Sequence, residues 1–365
     1  MTRTPVVYRP ESAVFWLFVA ILALSAFALV AGDGAAINET LGAQVLLGPM
    51  WLVFIVLLVW LILKFDPFRS ARQYPQGLVA GTALGATTAI VMAENGNGAL
   101  SDIWARVLPP DTYALWWAAL TAPIIEEASK AMCAALILVL CAAVFNRISH
   151  ALLVGMFVGF GFDVMEDLSY ASTQALNSLD SDFSGARDNL LIRFLTAVPA
   201  HWAYTALAAV GVLLLLPTFH DRATWSRPKR LGTAAVLFAG ASLMHFIWDA
   251  PAPEEGLVGI GFMVLKVLVC LAIFLPAVIV LLRVERRWVV TRIEQSRGTA
   301  VVDGIHPDVL DSLPTWRRRR ALQRKATDRA TRKLVRADQR RALDRIQTSS
   351  EPSFADSSSA LTPMP

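Results

Sequence analysis

The sequence predicts an all-α, polytopic membrane helical bundle of about eight transmembrane helices, followed by a basic cytoplasmic C-terminal tail. Three observations carry this reading. The 365-residue chain is 55% hydrophobic and 17% charged, with a mean hydropathy of +0.51, where a soluble domain carries roughly 25% charge. Its apolar residues fall in blocks of about 20, the length that crosses a hydrocarbon layer of roughly 30 Å at about 1.5 Å per residue. Its basic residues are concentrated in every second loop, as the positive-inside rule requires.

Taken in order, the blocks lie near 12–31, 45–63, 77–93, 113–145, 149–170, 195–216, 231–250 and 257–283. The first is too long for the apolar part of a signal peptide, so it is read as a span with no cleavable leader. The fourth is too long for one crossing and holds Pro123; it is read as an approach segment followed by a helix from about 123 to 145. The N-terminal stretch and the 64–75, 146–150 and 217–231 loops hold ten basic residues, against three (Arg106, Arg187 and Arg193) in the alternate loops. That bias places both termini in the cytoplasm of a cell-membrane protein, and an even number of spans agrees with it.

Composition changes sharply after residue 283. Residues 1–283 read as the transmembrane domain and 284–365 as a separate basic tail, which contains Arg286-Arg287 and the run Arg317 to Arg320. Up to about residue 346, alternation of Arg and Lys with Ala, Leu and Asp fits a charged helix near anionic lipid headgroups. The Ser/Pro-rich end, 348–365, reads as disordered. Asp328, Asp338 and Asp344 interrupt the basic face, which argues against nucleic acid as a partner. Cys133, Cys141 and Cys270 all fall inside spans and read as small apolar packing residues.

Ionisable side chains at membrane depth are costly, so those that persist face protein or water and mark function. Four segments carry them: Glu126, Glu127 and Lys130 after Pro123; Asp163, Glu166, Asp167 and Tyr170 after Gly161-Phe162; His201 with Thr205; and His245 with Asp249. Measured at about 1.5 Å per residue from each helix's cytoplasmic end, Glu126, Glu166, His201 and His245 lie roughly 29, 26, 23 and 21 Å up. Segments running in alternating directions thus put their polar groups in one layer, in the outer part of the bilayer.

Local spacings add chemistry. Lys130 is i+4 from Glu126 and i+3 from Glu127, so it can pair with either. Asp249 is i+4 from His245 and can hold its imidazole in one tautomer. One carboxylate and two imidazoles from three helices make a His₂Glu metal site with an open fourth position, and a second carboxylate can act as general base. No H-E-x-x-H sequence occurs, which excludes the zincin arrangement. Each feature also has a plainer origin: acids after Pro123 suit a helix start, and a lone intramembrane histidine can be an interhelical hydrogen-bonding group. Asp163 and Asp167 read as supporting or loop-facing groups.

Together these residues resemble the motifs of the PrsW family of intramembrane proteases, relatives of the CAAX-prenyl and Abi-type proteases. Glu126-Glu127-x-x-Lys130 is similar to the family's EExxK, and Gly161-Phe162-x-x-x-Glu166-Asp167-x-x-Tyr170 to its GFAxxENxxY. His201 with Thr205, and His245 with Asp249, look like its two later histidine motifs. The likeness covers about 120–250, in the family's order. The CAAX branch (EExxxR, FxxxH, HxxxN) differs at Lys130, Glu166 and Asp249. The usual PrsW pattern differs at Asp163 and Asp167, where a small residue and asparagine are commoner; both changes add charge beside Glu166.

The resemblance implies a metal-dependent endopeptidase that cuts a membrane-anchored protein substrate at or just outside the outer face. In the type example that substrate is a single-pass anti-sigma factor. It also implies that Glu126 activates water, that Glu166, His201 and His245 bind a metal or polarise the water, and that Asp249 supports His245. Either Glu126 or Glu127 can be the base, and Lys130 completes the motif. Zinc follows from ligand type alone, and a glutamate-based hydrolysis without metal would use nearly the same residues. Two other classes stay in view. A proton-coupled transporter or channel also uses buried carboxylates and histidines, but its site belongs near the midplane between repeated halves. A catalytically silent scaffold would act through the tail alone.

Overall fold

The apolar blocks are helices in the structure, a computed structural model that describes residues 6–253 and 256–349. Most of the disordered end expected at 348–365 lies outside the described residues. Among the described residues there is no strand. The chain divides into two units, residues 1–66 with 74–285, and residues 67–73 with 286–365.

The first unit holds α1 (Ala13–Gly32), α2 (Gly48–Ile62), α3 (Pro75–Val107), α4 (Pro110–Leu140) and α5 (Ile148–Asn177). It continues with α6 (Asp182–Thr196), α7 (His201–Leu215), α8 (Arg227–Asp249) and α9 (Gly256–Ser296), whose end belongs to the second unit. Among the described residues, six of these are long and apolar enough to cross a membrane: α1, α2 together with the 3-10 turn that extends it to Phe65, α3, α5, α8 and α9. A seventh crossing results if α6 and α7, bent by 49° at their junction, act as one. Helix α4 is long enough, but Glu126, Glu127 and Lys130 break its apolar run.

Two segments differ from the sequence reading. The fourth block is one continuous helix from Pro110 to Leu140, with Pro123 inside it. Proline costs one backbone hydrogen bond, which a helix packed among others in a membrane tolerates. The block expected at 195–216 is broken at 197–200, so its first residues end α6 and His201 begins α7. Pro199 has no N–H to donate and restricts Val198, which stops the helix there.

Packing inverts the pattern of a soluble protein. On α1 and α2, Leu24, Phe27, Val30, Leu52, Val56 and Trp60 are exposed, as expected of lipid-facing residues. Helix α5 is the centre: every residue from Ile148 to Asp163 is buried. Its Gly155 and Gly159 form a G-x-x-x-G pair that admits α7 at backbone contact. A Cβ at either position would lie 2.4 Å from a carbonyl oxygen of α7, that of Thr205 or His201 respectively. This approach sets the start of α7, and with it His201, against the middle of α5. Helix α3 contains one wide π-turn, Gly85–Ala89, before it continues as Ile90–Val107.

The second unit has its own small core, formed by Phe68 with Val289, Ile293, Leu310, Leu313 and Ile346. Its helices are α10 (Pro307–Ser312), α11 (Trp316–Lys325) and α12 (Arg329–Thr348). Arg69 and Gln73 both donate to the Asp344 carboxylate, at 2.6 and 2.5 Å. The tail residues thus pack with a short piece of the 64–75 loop and bury apolar side chains of their own.

Candidate active site

Helix α4 supplies the first three groups. Glu126 and Glu127 are neighbours about 100° apart around the helix, yet both reach Lys130, His201 and His245. Glu126 Oε1 accepts from Asn97 Nδ2 at 3.0 Å, and its Oε2 lies 3.3 Å from Lys130 Nζ. Glu127 Oε1 lies 2.8 Å from the same ammonium and 3.0 Å from His245 Nδ1. Lys130 is wholly buried, with its ammonium 4.0 Å above the Phe162 ring.

Helices α7 and α8 deliver the imidazoles. His201 is the first residue of α7, and the helix start is capped from α5: the backbone N–H groups of His201 and Trp202 donate to the Asp163 carboxylate, each at 3.1 Å. Asp163 thereby satisfies two of the four donors that a helix start leaves free. His201 Nδ1 lies 2.7 Å from Lys130 Nζ, and its Nε2 3.2 Å from Glu166 Oε2. The ammonium can only donate, which assigns the ring proton to Nε2, facing Glu166. His245, on the last turns of α8, has a carboxylate at each nitrogen: Glu127 at Nδ1, and Asp249 Oδ2 at 3.2 Å from Nε2. That Asp249 oxygen is close enough for attraction but too poorly aligned to form a hydrogen bond. Tyr204 stacks on His245, with ring centroids 5.5 Å apart.

Glu166 faces a further cation. Arg193, from α6, donates to Glu166 Oε2 at 2.7 Å and to Asp167 Oδ1 at 2.8 Å, and lies 4.5 Å over the Tyr170 ring. The two acids that depart from the usual motif are therefore both engaged, Asp163 on a helix start and Asp167 on Arg193.

The structure thus brings Glu126, Glu127, Lys130, Glu166, His201, His245 and Asp249 into one contiguous network. It divides them differently from the sequence reading, however. Among the described residues, the group whose ligand atoms lie within 4.8 Å of one another is Glu126, His201 and His245, with all three buried. Glu166 touches only one side of His201 and is held there by Arg193, while Glu126 faces both imidazoles, 4.0 Å from His201 Nδ1 and 3.7 Å from His245 Nε2. A tetrahedral ion with ligands at 2.0–2.2 Å needs donors about 3.4 Å apart, so small side-chain movements would close this set on a cation.

Charge points the same way. Around the network stand six carboxylates (Glu126, Glu127, Asp163, Glu166, Asp167 and Asp249) and three cations, Lys130, Arg193 and Lys266, the last beside Asp249. Buried charge of one sign is costly unless compensated. Glu127 Oε2 is buried with no hydrogen-bond partner, a free acceptor in the same place. The donor set and the surplus of negative charge both fit a divalent cation.

A family model described as PrsW family intramembrane metalloprotease matches residues 74–281, more than half of the chain. The chain belongs to the PrsW family. No curated protein and no solved structure matches it. The PrsW match runs from the loop before α3 into α9 and includes every residue of the network, whereas α1, α2 and most of the second unit lie outside it. Membership makes the chain, in general terms, a membrane-embedded peptidase.

Three groups around this PrsW site escaped the sequence reading. Asn97 lay in a stretch read as an outer loop, and nothing local tied it to Glu126. Arg193 counted only as a loop charge, although the extra acids Asp163 and Asp167 signalled a missing cation. Lys266 is a charge inside a predicted span and was visible on that ground alone. Its ammonium binds the carbonyls of Trp248 (2.7 Å) and Ala250, closing the end of α8 beside Asp249.

Proposed function

We propose that this PrsW-family peptidase is a metal-dependent endopeptidase that hydrolyses a peptide bond of a membrane-anchored protein near the extracytoplasmic face. The observation that carries the reading is the convergence of Glu126, His201 and His245 from three helices, all buried. These three would hold the ion, with zinc the metal that suits two imidazoles and a carboxylate. A bound divalent ion supplies Lewis acidity toward the scissile carbonyl and acidifies a water. Glu166 shares a cleft with Glu126 and accepts the proton of the attacking water. Arg193 keeps Glu166 in place. Lys130 balances Glu126 and Glu127, Glu127 orients His245 through Nδ1, and Asp249 flanks its Nε2.

Orientation in this proposal comes from charge. Counting α4 and the α6–α7 pair gives eight crossings, and the basic loops then lie on the cytoplasmic side with both termini. The site falls in the outer part of the bilayer, where a single-pass substrate such as a membrane-tethered anti-sigma-type regulator leaves the membrane. Exposed Trp316 beside exposed Arg317, Arg318 and Arg320 suits contact with anionic lipid headgroups. The test is cleavage in membranes, read as shed extracytoplasmic fragments, for wild type, Glu126→Gln, Glu166→Gln, His201→Ala and His245→Ala. Metal content of the purified proteins is measured alongside. Loss of fragments together with loss of bound metal in Glu126→Gln, His201→Ala and His245→Ala is expected. Folded variants with an unchanged fragment profile would overturn the reading.

A further inference from the structure

Cavities that touch the polar network differ in size and in charge. The one beside His201 and Arg193 measures about 20 Å³, room for a water and not for a side chain. The one between α3 and α5 measures about 200 Å³; it is lined by Glu94, Glu126 and Glu166, with no lysine or arginine among its described residues. A third lies where the end of α8 meets the starts of α4 and α9. It measures about 520 Å³, within the roughly 300–1,000 Å³ in which proteins hold ligands. Leu115, Trp248, Ile260 and Met263 give it apolar walls, and its one acid, Asp249, is matched by one base, Lys266. Leu115, Ile260 and Met263 are 64%, 59% and 40% exposed, so the cavity is reached from outside. Two features hold it open. Pro251 and Pro253 restrict the backbone that follows α8, and Lys266 ties the Trp248 and Ala250 carbonyls to α9.

We propose that this third cavity is the specificity pocket of the peptidase and takes a bulky apolar side chain of the substrate, close to the bond that is cut. The inference rests on the peptidase reading of the site and adds the sequence class of the substrate. Position carries the first half of it: Asp249 lines the cavity and lies 3.2 Å from His245 Nε2. A side chain seated there therefore belongs to a residue near the reacting one. Chemistry carries the second half. With Asp249 and Lys266 balanced, a charged side chain would be dehydrated with nothing to compensate it, whereas leucine, methionine or phenylalanine gains by leaving water.

The experiment is a binding measurement on the full chain in lipid nanodiscs. The probe is a fluorescent synthetic single-span peptide, an Ala/Leu helix with a Gly/Ser outer segment, made as a series in which one leucine is moved along that segment. With wild type, one register is expected to bind about 10- to 100-fold tighter than the peptide without the leucine, the effect of burying one large aliphatic side chain. Lysine or glutamate at that register gives no gain. The double variant Ala114→Leu, Met263→Trp fills the cavity from two exposed positions outside the network. It should lose the gain and bind the leucine-free peptide as wild type does. Photo-leucine at the favoured register should attach, on irradiation of wild type, to residues 114–115 or 248–266. A flat series, an equal gain at every register, a gain that persists in the filled variant, or attachment elsewhere overturns the proposal; the middle two would mean that the leucine had entered lipid. Binding is read here and not cleavage, so failure of the peptidase reading shows separately, as an intact register dependence with no bond cut.

Discussion

Replacing Lys130 by methionine tests the charge balance on which the site depends. The ammonium is wholly buried, 2.8 Å from Glu127 and 3.3 Å from Glu126. At an effective dielectric of about 20, a unit pair 2.8 Å apart attracts by roughly 6 kcal/mol before desolvation. What is lost on mutation is less, because the lysine no longer has to be dehydrated; removal of one partner of a buried pair costs about 3–5 kcal/mol. Methionine is long and flexible enough to fill the space, so little of the effect comes from a cavity. Lys130→Met is therefore predicted to lower the unfolding free energy in mixed micelles by about 3–5 kcal/mol when chelator is present. Adding Glu127→Gln removes one stranded charge and should recover part of the loss, making the two changes non-additive. Zinc at about 100 times its dissociation constant should return about 2.7 kcal/mol, because the ion takes over the compensation. If Lys130→Met unfolds with the wild type in chelator, and zinc shifts neither protein, the buried carboxylates are not balanced in this way. The charge argument for a cation at this site then fails with it.

Arg193→Met leaves Glu166 and Asp167 without their shared cation and is predicted to cost about 3–5 kcal/mol of stability and most of the proteolysis. Arg193→Lys, which keeps the charge but loses the planar fork that places separate donors on the two carboxylates, should fall between, as read by unfolding and fragment release. Gly159→Ala forces a Cβ to 2.4 Å from the His201 carbonyl and is predicted to cost about 1–3 kcal/mol as overpacking. Its bound metal should fall more than that of a matched substitution at lipid-facing Leu24. In the second unit, the Asp328 carboxylate accepts from Thr331 N–H at 2.8 Å at the start of α12, and this bond holds its pKa below the ordinary 3.8. The folded value is depressed, so the cap's contribution is present above that ordinary value and is lost as pH falls through the folded one. Hydrogen exchange at the first turn of α12 should rise there, and Asp328→Ala should show the fast exchange already at neutral pH.

Most of the polar network was legible in the sequence because membranes make polar groups conspicuous. A carboxylate or imidazole inside an apolar block has few innocent explanations, and a constant rise per residue turns sequence position into depth. That suffices to gather Glu126, Glu166, His201 and His245 into one layer. It does not give rotation about each helix axis, and rotation decides which carboxylate meets both imidazoles. Glu126 and Glu127 both do so in the structure. Glu166, at similar depth, is drawn to Arg193, a residue whose location on α6 could not be foreseen while 171–194 was read as a loop. Asn97 was hidden for a related reason: α3 runs on through its π-turn to Val107, well past the end of the apolar block at residue 93. Polar residues that continue a helix beyond its hydrophobic stretch look like loop in a hydropathy reading.

The acids that set this chain apart from the usual motif show how local and global constraints meet. Asp163 and Asp167 flank Glu166, and on sequence alone they crowd its charge. In the structure neither competes with it. Asp163 turns toward the start of α7 and binds the two N–H groups that lead into His201, so it fixes the backbone from which that imidazole projects. Asp167 takes the Nε of Arg193 and leaves its Nη2 for Glu166. Both substitutions thus act on the placement of a neighbour: one holds His201 at the end of its helix, and the other steadies the cation that holds Glu166. The G-x-x-x-G contact that brings α7 against α5 makes the first of these possible, since Asp163 lies one turn beyond Gly159 on the face that α7 approaches. A small residue in place of Asp163 would leave the N–H groups of His201 and Trp202 without this cap, and asparagine in place of Asp167 would give Arg193 a neutral partner. The extra charge and the extra order at His201 and Glu166 are, on this geometry, one adaptation.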